Sequence, residues 1–416
     1  MHVLLTTYGF PSYQQSFIEN YVYALVAEGV DVCVRASAAS DHAAAPPSPD
    51  EHAGSLEVVA TPWTDARSKK LVSLFETLRG AFRHHRPELL ALVRELRDRH
   101  GLGRSFFREL SVLAPVLSRR ADLVHIGWLT AAMRSTDVLD VLEAPLVVSC
   151  HGSDLHIDPL LGVEYRTALR KVFSRADLVH CVSGALAREA VALGLDPAKV
   201  FVRSLGVDTR TFQPASERAT IGVVGAEADR TLRVVSVSRI HWVKGYEFAL
   251  QALALVRRAG VDIDYTIIGH ADDKARLSVL ATARDLGIES SVHIRGTQAP
   301  SEIVATLRAA DVFVLSSLSE GLSTATLEAM AVGLPVVVTD VGGMREAVTD
   351  GVHGFVVPPR DPAALAAALL ELAADGELRQ KMGDEGRRRA VEEFDTHDCA
   401  RALHGEYARL VAEHGA

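Results

Sequence analysis

Apolar runs of strand length recur from one end of this chain to the other, each separated from the next by a helical pattern. The runs "HVLLTTY", "VDVCVRA", "ADLVHIGW", "APLVVSCH", "ADLVHCVS" and "KVFVRSLG" fill the first half. In the second half come "LRVVSVSR", "IDYTIIGH", "SVHIRG", "ADVFVLSS", "PVVVTD" and "HGFVVPP". Strands that are apolar at nearly every position lack a solvent face, so they belong to parallel sheets with helices on both sides. With about six such strands per half and 416 residues, the chain is too long for one core and predicts two doubly wound domains. The seam is expected within Leu205–Thr231, which carries Pro214 and no sustained periodicity. The domains are therefore placed at 1–208 and 209–392, followed by a C-terminal helical segment at 393–416. The stretch Ala36–Ser55 reads as a loop inside the first domain.

Composition excludes several classes. A formal charge of −9 argues against nucleic acid as a partner, which calls for a basic footprint. Cys33, Cys150, Cys181 and Cys399 lie far apart, which suits neither a disulfide framework nor a zinc site. "MHVLLTTYGF" has no basic n-region, and no run approaches the ~18 apolar residues of a membrane span. A reducing cytoplasm is the expected setting. One region departs from the average: Arg67–Arg120 holds 13 Arg or Lys against five acids, a local net of +8. That is either a solvated helical face or a face drawn to an anionic membrane surface or a phosphorylated acceptor, with Phe106 and Phe107 as its apolar wedge.

The chemistry concentrates in "SEGLSTATLEAMAVGLPVVVTD", Ser319–Asp340. Ser323 or Thr324 is a suitable N-cap, and the helix it opens follows a strand, at the sheet edge where ligands bind in such folds. Free N–H groups there suit a phosphate. Glu320 in the loop and Glu328 one turn inside the helix can accept hydrogen bonds from sugar hydroxyls, or can simply complement the helix dipole. In "VSVSRIHWVKGYEFAL", Arg239 and Lys244 occupy a second strand-to-helix loop, where two cations can flank a diphosphate. His151 follows an apolar strand, with Asp154 read as a helix cap or supporting group. No metal-ligand cluster stands out, and neither metal nor cofactor is expected.

"SRIHWVKG" together with "SEGLSTATLEAMAVGLPVVVTDVGGMREAVTDGVHGFVVPPRDP" resembles the C-terminal half of the retaining glycosyltransferases of family 4. Seven residues separate Glu320 from Glu328, as in that family's E-x7-E signature. "YGFPSYQQSFIENYVYALVAEGVDV", "CHGSDLH", "RADLVHCVSGALAREAVALGL" and "LGVDTRTF" extend the likeness to members that build exopolysaccharides or decorate natural products. The resemblance implies the GT-B fold, two Rossmann-like domains facing each other across a cleft. It implies transfer of a sugar from a nucleoside-diphosphate donor, UDP first and GDP next, to a hydroxyl of a saccharide, lipid-linked or natural-product acceptor. By the same resemblance Arg239 and Lys244 neutralise the departing diphosphate, Glu328 holds the ribose and Glu320 faces the donor sugar. Backbone N–H groups at Leu322, Ser323, Thr324 and Ala325 help to hold sugar and phosphate. Gly9 lies near the phosphates, Gly296 and Thr297 near the base, and His151 near the reacting sugar. The segment "THDCARALHGEYARLVAEHG" is the helix expected to return to the first domain.

Three departures from the family pattern stand out: "IIGHADD" lacks a second glycine, "EGLS" replaces E-G-F-G, and "TTYGFPS" has one glycine where others have two. Other classes fit less well. A glycogen-type phosphorylase would need a cofactor lysine in its own context, and a dinucleotide oxidoreductase would need G-x-G-x-x-G after the first strand. A sugar-nucleotide epimerase and a non-catalytic nucleotide-sugar-binding subunit remain as alternatives.

Overall fold

The apolar runs form two all-parallel sheets, one in each of two compact units. The structure is a computed structural model that describes residues 1–10, 16–38, 54–60, 67–103, 106–107, 110, 114, 121–134, 143–156, 160, 162–215 and 231–415. The first unit is Met1–Arg203 with Ala400–Ala416, and the second is Ser204–Cys399.

In the first unit the strands are β1 (His2–Gly9), β2 (Asp31–Ala38), β3 (Leu56–Ala60), β4 (Leu123–Ile126), β5 (Leu146–Cys150), β6 (Leu178–Cys181) and β7 (Val200–Val202), in the order β3-β2-β1-β4-β5-β6-β7. Pairing is parallel throughout, with Val3 of β1 opposite both Val32 and Leu123. Every residue of β4, β5 and β6 is buried, which explains their unbroken apolar character. β3 is an addition to the strands expected from sequence. It lies at the sheet edge with Glu57 and Val58 exposed, so it never presents the apolar run of a central strand. Of the stretch expected as a loop, Ala36–Ser55, its first three residues belong to β2, and residues 39–53 lie outside the described set.

Four polar side chains in this core form one hydrogen-bonded chain. His125 Nδ1 lies 2.5 Å from the Tyr407 hydroxyl and its Nε2 lies 2.8 Å from Ser149 Oγ. Ser149 Oγ lies 2.8 Å from His180 Nδ1, and His180 Nε2 lies 2.6 Å from the Arg203 carbonyl, to which it donates. Burial pushes His125 well below the usual histidine range and His180 down to about 4, so both are neutral. These are structural histidines.

In the second unit β8 (Leu232–Val237), β9 (Ile263–Ile268), β10 (Val292–Gly296), β11 (Val312–Leu315), β12 (Val336–Thr339) and β13 (Gly354–Val357) pair in the order β10-β9-β8-β11-β12-β13. All six correspond to runs read from the sequence. Helices such as Tyr246–Arg258 and Pro362–Ala374 cover one face, burying Leu250, Leu253, Leu369 and Leu372. Strand order reverses direction between β8 and β11, which opens a crevice outside their carboxyl ends.

The chain leaves the first unit at Arg203, five residues before the boundary expected from composition. Backbone pairing decides this: the Val207 N–H donates to the Phe394 carbonyl at 2.8 Å and the Thr396 N–H donates to the Val207 carbonyl at 3.0 Å, tying 204–208 into the second unit. The last helix accordingly starts at Thr396 and not at 393, and runs to His414. Its residues Ala400, Leu403, Tyr407 and Leu410 are buried at helical spacing. Of the expected seam, residues 216–230 lie outside the described set.

Candidate active site

Three loops converge at the switch point of the second sheet. The first follows β8 and contains Arg239, His241 and a 3-10 turn, Trp242–Lys244, before the helix Tyr246–Arg258. The second follows β11 and contains Glu320. The third follows β12 and contains Gly342. Hydrogen bonds lock the first to the second: Ser316 Oγ donates to the carbonyls of Lys244 and Gly245 at 3.0 and 2.9 Å, and the Leu318 N–H donates to the Val243 carbonyl at 2.7 Å. Gly245 has φ 59° and ψ 34°, and a β-carbon there would stand 2.2 Å from the Ser316 carbonyl oxygen. Only glycine allows the loops so close.

The result is an ion pair. Lys244 Nζ donates to Glu320 Oε1 at 2.5 Å, and Ser317 Oγ donates to the same oxygen at 2.6 Å. Ser317 is itself fully buried, and Thr339 Oγ1 donates to its carbonyl at 2.6 Å. Behind Glu320, the Gly343 N–H donates to the Gly321 carbonyl at 2.9 Å, and a β-carbon on Gly342 would lie 1.7 Å from the Glu320 carbonyl oxygen. Arg239 stands in the same loop as Lys244, exposed, with no hydrogen-bond partner among the described residues. Together with burial, the two cations hold His241 below the usual histidine range.

Ser323 caps the helix Thr324–Ala331, accepting from the Thr326 N–H at 3.3 Å. The N–H groups of Thr324 and Ala325 precede the first helical hydrogen bond, from the Leu327 N–H to the Ser323 carbonyl. Leu322, Thr324 and Ala325 are half-buried at this edge. Glu328 is only 6% exposed and its carboxylate has no hydrogen-bond partner among the described residues. Desolvation pushes its pKa up to about 8. A buried carboxyl without a donor is costly, and hydroxyl groups of a ligand would satisfy it.

On the β10 side, Gly296 ends the strand and Thr297 follows it. The Gly296 carbonyl accepts from the Gly269 N–H at 2.8 Å, and a β-carbon on Gly269 would come within 2.0 Å of the Ser238 carbonyl oxygen. It is Gly269 that makes this approach, so the close backbone contact does not require a glycine at His270.

In the first unit His151 lies just past β5, at the carboxyl edge of that sheet. Its Nε2–H donates to the Gly127 carbonyl at 2.7 Å, which leaves Nδ1 as an acceptor. The ring packs on Trp128, centroids 4.5 Å apart, and on Phe17 at 5.6 Å. Burial pushes its pKa down to about 4, so the ring is neutral. Asp154 accepts from the backbone N–H groups of His151 and Gly152, at 3.3 and 2.8 Å, and so fixes the turn that presents the imidazole. Gly9 ends β1, and residues 11–15 lie outside the described set.

The structure thus brings Lys244 and Glu320 into contact and leaves Arg239, Glu328, Gly296 and Thr297 around the same sheet edge. Three residues had no sequence signal. Ser317 holds Glu320 but reads as one more serine at a strand end. Gln298 Oε1 and Thr326 Oγ1 are buried polar atoms without hydrogen-bond partners among the described residues. An orphaned acceptor is visible only once packing is known.

Residues 219–389 match the family described as "Glycosyl transferases group 1", and residues 14–206 match "Glycosyl transferase 4-like domain". The chain belongs to the group 1 glycosyltransferases. Among its relatives in this family is the amylovoran biosynthesis glycosyltransferase AmsK of Erwinia amylovora, 30% identical over 70% of each chain. The putative colanic acid biosynthesis glycosyltransferase WcaL of Escherichia coli is 29% identical over 86% of this chain and 87% of its own. Among solved structures, Anabaena HepE in complex with UDP and glucose superposes with a TM-score of 0.70, 17% identity and coverage of 98% and 100%. The two parallel-sheet units are those of the GT-B fold, and the chain is a glycosyltransferase enzyme.

Proposed function

We propose that this glycosyltransferase moves a hexosyl group from a nucleoside-diphosphate sugar to a hydroxyl of a saccharide acceptor, with retention of anomeric configuration and without a metal. The observation that carries the reading is the Lys244–Glu320 pair at the β8/β11 switch point, with Arg239 beside it and the donor-starved Glu328 behind. Negative charge accumulates on the diphosphate as the glycosidic bond breaks. Lys244, Arg239 and the first-turn N–H groups of Thr324 and Ala325 meet that charge, which is the largest contribution a preorganised site makes. Glu328 accepts from the ribose hydroxyls, and Gly296 and Thr297 flank the base. Leu322 and Ser323 line the sugar side. Gly9 belongs to the phosphate side and His151, neutral with Nδ1 available, accepts from a sugar hydroxyl.

Retention follows from same-face attack. Glu320 Oε1 already accepts from Lys244 and Ser317, which lowers its nucleophilicity and makes a covalent glycosyl-enzyme a poor route. The acceptor oxygen instead enters on the face the diphosphate leaves, and a phosphate oxygen takes its proton. The UDP bound to HepE supports uridine as the first choice of base, with guanosine second. The roles of AmsK and WcaL in amylovoran and colanic acid biosynthesis support a saccharide acceptor, alone or lipid-linked, over a natural product. The reaction belongs to the cytoplasm, where nucleotide sugars are made.

Thermal unfolding with UDP, GDP, ADP, CMP and dTDP tests the donor site. A nucleotide at 100 times its Kd stabilises the fold by about 2.7 kcal/mol. One nucleotide is expected to shift the wild type and to lose that shift in Lys244→Ala. Transfer from the matching sugar nucleotide should persist in EDTA. Absence of any shift, or hydrolysis that never yields a glycoside with saccharide acceptors, would overturn the reading.

A further inference from the structure

We propose that the face built by the helices Arg67–His84 and Arg86–His100 is a docking surface for an anionic lipid bilayer. Phe75 is 69% exposed, Phe82 51% and Leu90 48%, an unusual fate for large apolar side chains on a folded protein. They are not scattered. Phe75, Arg79, Phe82 and Arg86 follow one another at spacings of four, three and four residues, which is one stripe of a helix. The single non-helical residue His85 (φ −139°, ψ 54°) interrupts the helix without breaking the stripe: the Arg86 guanidinium carbon sits 4.9 Å from the centroid of the Phe82 ring. Leu90 lies a further turn along, while Ala81, Leu89 and Leu92 face inward and are buried.

Charge selects the occupant. Arg79 and Arg83 flank the phenylalanines and have no acidic partner among the described residues; the ion pairs Arg97–Asp98 and Arg99–Glu95 lie at the far end. The surrounding Arg67–Arg120 carries +8 in a chain of −9. A second copy of this face would bring arginine against arginine. Duplex nucleic acid would leave the exposed rings in water, and the overall charge of −9 disfavours nucleic acid of either kind. Aromatic side chains interleaved with arginines on one helical face fit a surface that is negative at its headgroups and apolar just below them. Among the described residues, no helix is long and apolar enough to cross a membrane, so the contact is with one leaflet.

Flotation of the full chain with vesicles tests this. Expected is binding to phosphatidylcholine vesicles containing phosphatidylglycerol, loss of binding in high salt, and no binding to phosphatidylcholine alone. The pair Arg79→Ala, Arg83→Ala should weaken partitioning by on the order of twentyfold, at about fivefold per arginine. Phe75→Ser with Phe82→Ser should weaken it at low salt too. Because all four residues are exposed, Tm and the nucleotide-induced shift should stay at wild-type values. Equal binding to both vesicle types, no binding to either, or variants that bind as the wild type does would overturn the proposal. Phe75- and Phe82-dependent dimers in light scattering, without vesicle binding, would replace it with self-association.

Discussion

Glu328 stores a pH dependence in one side chain. The unfolded chain ionises it near the ordinary 4.5, whereas the folded protein keeps the proton to about 8. Between those values the unfolded state binds fewer protons, so this group makes the fold lose stability as pH rises, up to a few kcal/mol by pH 8. Glu328→Gln is expected to raise Tm at pH 8 and leave it unchanged at pH 4, as melting curves across that range would show. Donor binding runs the other way. Ribose hydroxyls favour the carboxylate, so nucleotide affinity should rise with pH towards 8, and calorimetry in two buffers should detect proton release that Glu328→Gln abolishes. If Glu328→Gln melts like the wild type at both ends of the range, the carboxyl is ionised in the free protein and its isolation is incorrect. Ser317 offers a milder test. Removing its hydroxyl strips one charge-assisted bond from Glu320, worth about 1.5–3 kcal/mol. Ser317→Ala should therefore cost about tenfold or more in kcat/KM, mainly in kcat if the ion pair is needed in the transition state.

Loops after β8, β11 and β12 act as one element, because backbone meets backbone where a side chain would collide. Gly342 has φ 54° and its β-carbon would lie 1.7 Å from the Glu320 carbonyl oxygen. Gly342→Ala must push the Glu320 loop away, and is expected to lower Tm and to cost more activity than stability, since Lys244 loses its partner's position. Retained kcat at a lowered Tm would show that the loop tolerates the shift. This interdependence explains what the sequence did and did not disclose. Central strands were legible since burial on both faces writes Val, Ile and Leu at successive positions, as in "PVVVTD". The edge strand Leu56–Ala60 was not, because half of it meets water. Glu320, Glu328 and Lys244 stood out as charges at strand-to-helix junctions. Ser317, Gly342 and Gln298 did not, because each acts through what lies across the sheet edge, and sequence spacing holds no information about neighbours in adjacent loops. The unit boundary was misplaced for the same reason: Val207 pairs with a segment far along the chain, at Phe394–Thr396.

At the scale of the whole molecule the chain passes between its units twice, so the last residues belong to the first unit's core. Tyr407 is fully buried there, with its hydroxyl 2.5 Å from His125 Nδ1 and 3.2 Å from the Tyr21 hydroxyl, and Arg401 pairs with Glu28 at 2.9 Å. The residues proposed to hold the nucleotide sugar, by contrast, lie in the second unit apart from Gly9 and His151. Two cores, of which the second carries most of the proposed nucleotide site, should respond separately. Calorimetry is expected to resolve a transition that the donor nucleotide raises and another that it barely moves. Tyr407→Ala, which empties a large buried site, should lower the second of these by about 3–5 kcal/mol of unit stability. Tyr407→Phe, which leaves His125 short of one partner, should cost about 1–3 kcal/mol in the same transition. A Tyr407 variant that lowered the nucleotide-responsive transition equally would mean that the two units unfold as one cooperative body, and that the C-terminal helix stabilises the donor site as much as the core it enters.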